Sequence, residues 1–221
     1  KEGRFGPENH PLVRPDIMEA EAVHRLLVIA DAADAPVMIV HLTNQKAFEE
    51  VMRARMNGQK VYAETCPQYL EFTCDVYKRE DGRNFVCSPP MKGQESLDAL
   101  WEAIKDGFID TIATDHCPFQ SYEKDWGKDD FTKIPNGCAG VENMYPYMLD
   151  AANSGKLTFE KVVELCFTNP AKIFGCTDKG SLSIGKDADI VIYDKDKDFT
   201  ISVSNMHSDY DHTMWDGKDN L

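Results

Sequence analysis

Pro36-Val37-Met38-Ile39-Val40-His41-Leu42 is the stretch on which the fold class turns. An apolar run without alternation, ending in a polar residue, is the pattern of a strand covered on both faces, as in a parallel sheet. Before it, Ile17, Ala20, Leu27 and Ala30 keep helical spacing and predict a helix over 16–33, with Pro15 suited to its first turn. After it comes a helix over 44–57, closed by Asn57-Gly58. A strand over 60–65 follows, then loop or short helix over 66–84. Phe85-Val86-Cys87-Ser88 reads as a short strand stopped by Pro89-Pro90, and a helix over 95–106 ends at Gly107. Asp110-Thr111-Ile112-Ala113-Thr114-Asp115 is a further buried strand that again ends in polar residues. A long loop over 116–138 leads to helices over 140–153, 158–167 and 169–174. Residues 1–15, punctuated by Gly3, Gly6, Pro7, Pro11 and Pro15, read as loop.

Strand and helix alternate, which points to parallel β/α units. From Gly180 the pattern changes. Strands over 188–193 and 199–203 are separated only by the turn Asp194-Lys195-Asp196-Lys197-Asp198. The expected division is 1–178 for the β/α part and 179–221 for a small β module. A (β/α)8 barrel takes about 250 residues, whereas about 175 here supply roughly four strands. Such a set leaves two open edges. The residues therefore read as part of a larger fold or as a small open α/β sheet.

The 221 residues carry 24 Lys+Arg against 38 Asp+Glu, a net charge of −14, and 42% are hydrophobic. That hydrophobic share supports a core, and the acidic balance argues against nucleic acid or an anionic membrane as partner. No apolar run approaches the roughly 20 residues of a membrane span. The seven cysteines, at 66, 74, 87, 117, 138, 166 and 176, form no C-x-x-C pair. Reduced thiols and a cytoplasmic location are expected.

Active sites of parallel β/α folds lie at the C-terminal ends of the strands. His41 and Asp115 both end buried strands there. His41 is either a satisfied core histidine or a ligand. Asp115 is either a cap or a carboxylate paired with a metal or proton, since burying it alone is costly. Glu64 closes the strand over 60–65 and reads as a ligand, an orienting group or a surface residue. In Ser88-Pro89-Pro90 and Pro135-Asn136-Gly137, proline leaves backbone groups outside any ladder, where they can serve a turn or bind a substrate. Cys66 and Cys117 are possible nucleophiles without an assigned base. His10, His24, His207 and His212 are expected at the surface. No phosphate-binding glycine motif, nucleophile elbow or H-E-x-x-H is present.

These stretches can be matched. Gly6-Pro7-Glu8, Arg14-Pro15, Glu19-Ala20-Glu21-Ala22, Val40-His41-Leu42, Glu64-Thr65-Cys66-Pro67-Gln68-Tyr69-Leu70, Ser88-Pro89-Pro90, Asp115-His116-Cys117-Pro118-Phe119, Phe131-Thr132-Lys133-Ile134-Pro135-Asn136-Gly137 and Gly185-Lys186-Asp187-Ala188-Asp189-Ile190-Val191 follow one another in order. Together they resemble the dihydropyrimidinase/hydantoinase branch of the cyclic amidohydrolases. The resemblance implies an α/β fold, the C-terminal part of a TIM (β/α)8 barrel plus part of a small β-sandwich module. It implies a two-metal site, usually zinc, with His41 as a ligand and Asp115 as ligand and proton shuttle. The main-chain groups of Ser88 and Asn136 would hold the ureide of a small cyclic substrate. A metal-bridging hydroxide would attack the ring amide, and the product would be an N-carbamoyl amino acid.

The departures shape the expectation. The family's H-x-H pair, bridging lysine, further histidine ligand and oxyanion-binding tyrosine have no counterpart on this chain. Of the usual ligands only His41 and Asp115 remain, and zinc sites need at least three. The chain alone is expected to be inactive, and to associate with itself or with an N-terminal half. Met91-Lys92 replaces the Leu-Arg of many relatives. Two rival readings are a non-catalytic scaffold derived from the family and another cyclic-amide hydrolase such as an allantoinase.

Overall fold

The computed structural model describes residues 3–218. Helix α1 (Asp16–Ala32) starts after Pro15, whose fixed φ suits the entry to a helix, and buries Ala20, Val23, Leu27 and Ala30 along one stripe. Strand β1 (Val37–Ile39) leads to α2 (Gln45–Met56). Asn44 caps α2 by accepting the Ala47 N–H at 3.0 Å, and Gly58, at φ +87°, supplies the left-handed turn after its end. Strand β2 (Val61–Thr65) runs straight into the short helix α3 (Pro67–Glu71). Helix α4 (Gln94–Lys105) precedes β3 (Thr111–Ile112). Beyond it lie α5 (Ser121–Lys124), α6 (Met144–Asn153), α7 (Phe159–Val163) and α8 (Asn169–Ile173).

The sheet is parallel, in the order β1-β2-β3. Val37 lies opposite Val61, Ile39 opposite Ala63, and Glu64 opposite Thr111. Isolated ladder bonds lengthen it at both ends: Leu42 N–H to the Glu64 carbonyl at 2.8 Å and Asp110 N–H to the Ala63 carbonyl at 2.8 Å. Apolar residues from strands and helices, among them Leu42, Val51, Ala63, Ile104, Ile112 and Met148, close the core between the layers. At the N-terminal end of the strands Arg55 holds the frame. It donates to the Val61 carbonyl (2.9 Å), the Phe108 carbonyl (2.7 Å) and the Asp110 carboxylate (2.5 Å), which also accepts the Ala63 N–H (2.7 Å). The opposite end of the sheet is left for loops.

Several sequence expectations need correction. Residues 85–88 are not a strand. β2 pairs directly with β3, so no ladder position exists between them. The Val86 carbonyl instead accepts the Gly137 N–H (3.0 Å) and the Lys124 ammonium (2.8 Å). The helix expected over 140–153 begins at Met144. A π-helical turn, Glu164–Thr168, joins α7 to α8. The stretches 188–193 and 199–203 form no ladder among the described residues. Ile190, Val191 and Ile192 are 63%, 64% and 93% exposed, because a lone pair of strands with nothing to pair on is marginal. The end of the described chain nonetheless returns to the core. Ile201 is buried and exchanges main-chain hydrogen bonds with Gly217 and Lys218, while Trp215 packs between Phe72 and Tyr147 at 5.0 Å from each. All seven cysteines are free. No helix of the described residues is long and apolar enough to cross a membrane.

Candidate active site

His41 and Asp115 sit just beyond the C-terminal ends of β1 and β3, on either side of β2. Both adopt left-handed backbone, at φ +42° and +48°. A non-glycine residue in this region costs about 1–3 kcal/mol and persists only where its surroundings fix it. Glu64, on β2 between them, supplies part of that fixing. Its carboxylate accepts the His41 main-chain N–H and lies 3.3 Å from the Thr111 hydroxyl. Burial pushes the Glu64 carboxyl above the usual carboxylate range. The donors and the nearby His41 pull it down, and the Asp115 charge pushes it up further. Glu64 thus feels both strand-end residues at once.

A second half-buried carboxylate flanks His41. Glu19 of α1 accepts the Thr43 N–H at 2.9 Å and the Thr43 hydroxyl. Burial raises it as well, against those two donors and the charges of Lys92 and His41. A cleft of about 530 Å³ opens here, lined by His41, Glu19, Lys92, Met38, Leu26 and Ser88 among others. Asp115 and Asn136 do not line it.

Ser88 and Asn136 lie on two loops that one buried cation ties together. The Lys124 ammonium, fully buried, donates to the carbonyls of Val86 (2.8 Å), Pro135 (2.8 Å) and Gly137 (2.7 Å). Burial pulls this amine below the ordinary lysine range. Ser88 is exposed, and its peptide bond to Pro89 is cis. Among the described residues the main-chain N–H and C=O of Ser88 and of Asn136 make no hydrogen bond to protein. The Asn136 side chain turns back to the Ile134 carbonyl through Nδ2 at 2.8 Å, and its buried Oδ1 has no partner. These loops therefore present unused main-chain groups at the same end of the sheet as His41.

The remaining cysteine and histidine expectations separate cleanly. Burial, then the charges of Glu64 and Asp115, push the Cys66 thiol well above its usual range, so it is a poor nucleophile. Cys117 is exposed. His24 and His207 are exposed and His212 is half-buried beside Asp211. His10, expected at the surface, is 1% exposed. Its Nε2 donates to the Cys87 carbonyl at 2.7 Å, one residue before Ser88, and its Nδ1 accepts from Arg14 at 3.0 Å. Nothing local in the sequence marks His10, Glu19 or Lys124, since their partners lie far along the chain.

Among the described residues no group of three or more His, Cys, Asp or Glu side chains stands together as a metal cage. His41 and Asp115 provide two donors of the right chemistry, one imidazole and one carboxylate. Two fall short of the at least three that zinc needs. The described residues alone do not complete the implied metal pair.

Comparison with known proteins gives a consistent result. A sequence profile described as the amidohydrolase family matches residues 15–219. A D-hydantoinase of Rhizobium radiobacter is 40% identical over 98% of this chain and 48% of its own length. Among solved structures, a D-hydantoinase superposes with a TM-score of 0.96 at 39% identity, over 99% of this chain and 49% of that one. A dihydropyrimidinase from Brevibacillus agri gives 0.95 at 37% identity, over 99% and 49%. The chain spans about half the length of the curated relatives it matches.

Proposed function

The chain belongs to the amidohydrolase family, in its hydantoinase and dihydropyrimidinase branch, and from that we propose that it carries the C-terminal part of a hydrolase active site that opens cyclic amides. The substrates in this reading are dihydropyrimidines and hydantoins, and the products N-carbamoyl amino acids. The observation that carries it is the pair of left-handed turns at His41 and Asp115, at neighbouring strand tops around Glu64. Backbone held in so costly a state at the reactive end of a parallel sheet serves to aim side chains.

In this reading His41 and Asp115 supply part of a zinc pair, whose other ligands come from outside the described residues. When bound, the metals supply the hydroxide nucleophile. Asp115 carries the proton to the leaving nitrogen. The unpaired main-chain groups of Ser88 and Asn136 hold the ureide by hydrogen bonds. The same proposal places 1–178 in the barrel part and 179–221 in a partial β-sandwich. The free edge of β1 and the exposed Ile17, Met18, Leu26 and Ile29 of α1 would pack on further β/α units or on a second copy.

The test compares the 221-residue chain with a chimera that joins it to the part of the Rhizobium radiobacter enzyme it does not cover. Metal content by elemental analysis and turnover of dihydrouracil, hydantoin and allantoin are measured on both. The expected result is metal and ring opening of dihydrouracil or hydantoin in the chimera, and neither in the chain alone. A folded, metal-loaded chimera that opens none of the three rings refutes the hydrolase reading and favours a scaffold. Preference for allantoin reassigns the substrate. Turnover by the chain alone overturns the ligand assignment.

A further inference from the structure

His116 follows Asp115 and is exposed, yet its ring is engaged on one side. The Nδ1 atom accepts two successive main-chain N–H groups, from Gly140 at 3.1 Å and from Val141 at 3.2 Å. Both lie on the loop that begins at Asn136. Main-chain contacts run beside this side-chain link. His116 and Cys138 form an isolated parallel bridge, and the Cys117 N–H donates to the Cys138 carbonyl at 3.0 Å. The fit is close enough to require glycine at Gly137, where a Cβ would stand 2.3 Å from the Cys117 carbonyl oxygen. From Gly137 a hydrogen bond of 3.0 Å continues to the Val86 carbonyl, two residues before Ser88. The other side of the ring faces Tyr210, centroid to centroid 6.1 Å.

We propose that His116 is a positioning residue: its Nδ1 lone pair, shared by the Gly140 and Val141 N–H groups, sets the Asp115 turn against the loop that carries Asn136. This rests on the hydrolase reading above. Two adjacent N–H groups aimed at one point form a concave donor pair that needs a single acceptor. Here a side chain supplies it, the His116 Nδ1. The acceptor fixes the left-handed turn from its C-terminal side, as Glu64 fixes His41 through its N–H. In the reaction, an imidazole that never touches the substrate then acts with the Cys117–Cys138 main-chain contact to set the distance between the proton-carrying carboxylate and the ureide-holding main chain.

The substitution set follows from bond counting. Asn Oδ1 sits the same number of bonds from Cβ as His Nδ1, whereas Gln carries its oxygen one bond further out. H116N should restore the contact; H116Q and H116A should not. The first readout is amide hydrogen exchange of Gly140 and Val141, followed by NMR on the chain itself. Losing an acceptor shared by two N–H groups should speed exchange at both about 30-fold in H116A, and H116N should stay within about threefold of the wild type. The second readout is kinetics in the chimera. H116A should lower kcat about 10- to 100-fold with KM changed far less, the signature of a displaced proton carrier, and H116N should recover most of the loss. Unchanged exchange in H116A, or H116N as impaired as H116A, overturns the acceptor role. Faster exchange with normal kcat overturns positioning and leaves a structural clamp. A wild-type chimera without ring opening removes the reaction and the positioning role together, while the exchange data still decide the clamp.

Discussion

Acidification should unfold this protein earlier than its carboxylates alone require, and His10 is the reason. Its ring is 1% exposed, donates from Nε2 to the Cys87 carbonyl at 2.7 Å and accepts at Nδ1 from the Arg14 guanidinium at 3.0 Å. A proton added at Nδ1 would meet that guanidinium. Burial, against the pull of the Cys87 carbonyl and helped by the Arg14, Lys124 and Lys92 charges, lowers the imidazole to about 4 from an ordinary 6.5. The folded value lies below the unfolded one, so between the two the unfolded chain binds more protons. Stability from this group is complete above pH 6.5 and drains away as pH falls toward 4. Such a shift is worth about 3.4 kcal/mol in full, of which about 2.4 kcal/mol is lost between pH 7 and pH 4.5. The control is H10Q, whose amide can still reach the Cys87 carbonyl but does not titrate. Urea unfolding at pH 7 and pH 4.5 is the assay. With an m-value near 2 kcal/mol/M, the wild-type midpoint should fall about 1 M further than that of H10Q. Equal falls in the two proteins would refute the argument, and His10 would then have to be reached by water in the folded state.

Other outcomes follow from the same contacts. Lys124→Met removes the cation from three carbonyls and leaves those of Pro135 and Gly137 without this donor, so it should cost about 2–5 kcal/mol in urea unfolding. Glu64→Gln keeps an acceptor for the His41 N–H but removes a carboxylate whose ionisation burial resists. It should gain stability over wild type as pH rises above the ordinary carboxylate range, read as diverging melting temperatures. His41→Gly relieves a left-handed turn and should stay within about 1 kcal/mol of wild-type stability while abolishing ring opening in the chimera; a large loss of stability would mean that His41 is a packing residue. Asp115→Asn in the chimera should fold normally and lose turnover, and retained turnover would remove its role as proton carrier.

The strand-end positions of His41 and Asp115 were legible because they depend on local pattern. An apolar run that stops at a polar residue points to the end of a parallel strand, and both His41 and Asp115 were found by that rule. The same rule gave too many strands. Phe85-Val86-Cys87-Ser88 has the composition of a strand, but β2 and β3 are already paired, and its backbone bonds go to Gly137 and Lys124. Ile190-Val191-Ile192-Tyr193 are all β-forming residues and still make no ladder, because a strand is a relation between two segments.

By itself, then, the sequence determined the α/β class, the alternation of α1, β1, α2, β2, α4 and β3, and the placing of an imidazole and a carboxylate at strand ends. Those follow from periodicity and from the cost of burying polar groups, which act over a few neighbours. Tertiary structure alone decided which segments pair, that His10 is buried 77 residues from its acceptor, that Lys124 gathers three carbonyls, and that His116 bridges 24 residues to Gly140. The physical reason is that burial and hydrogen bonding of a side chain depend on what the fold brings to it from elsewhere along the chain.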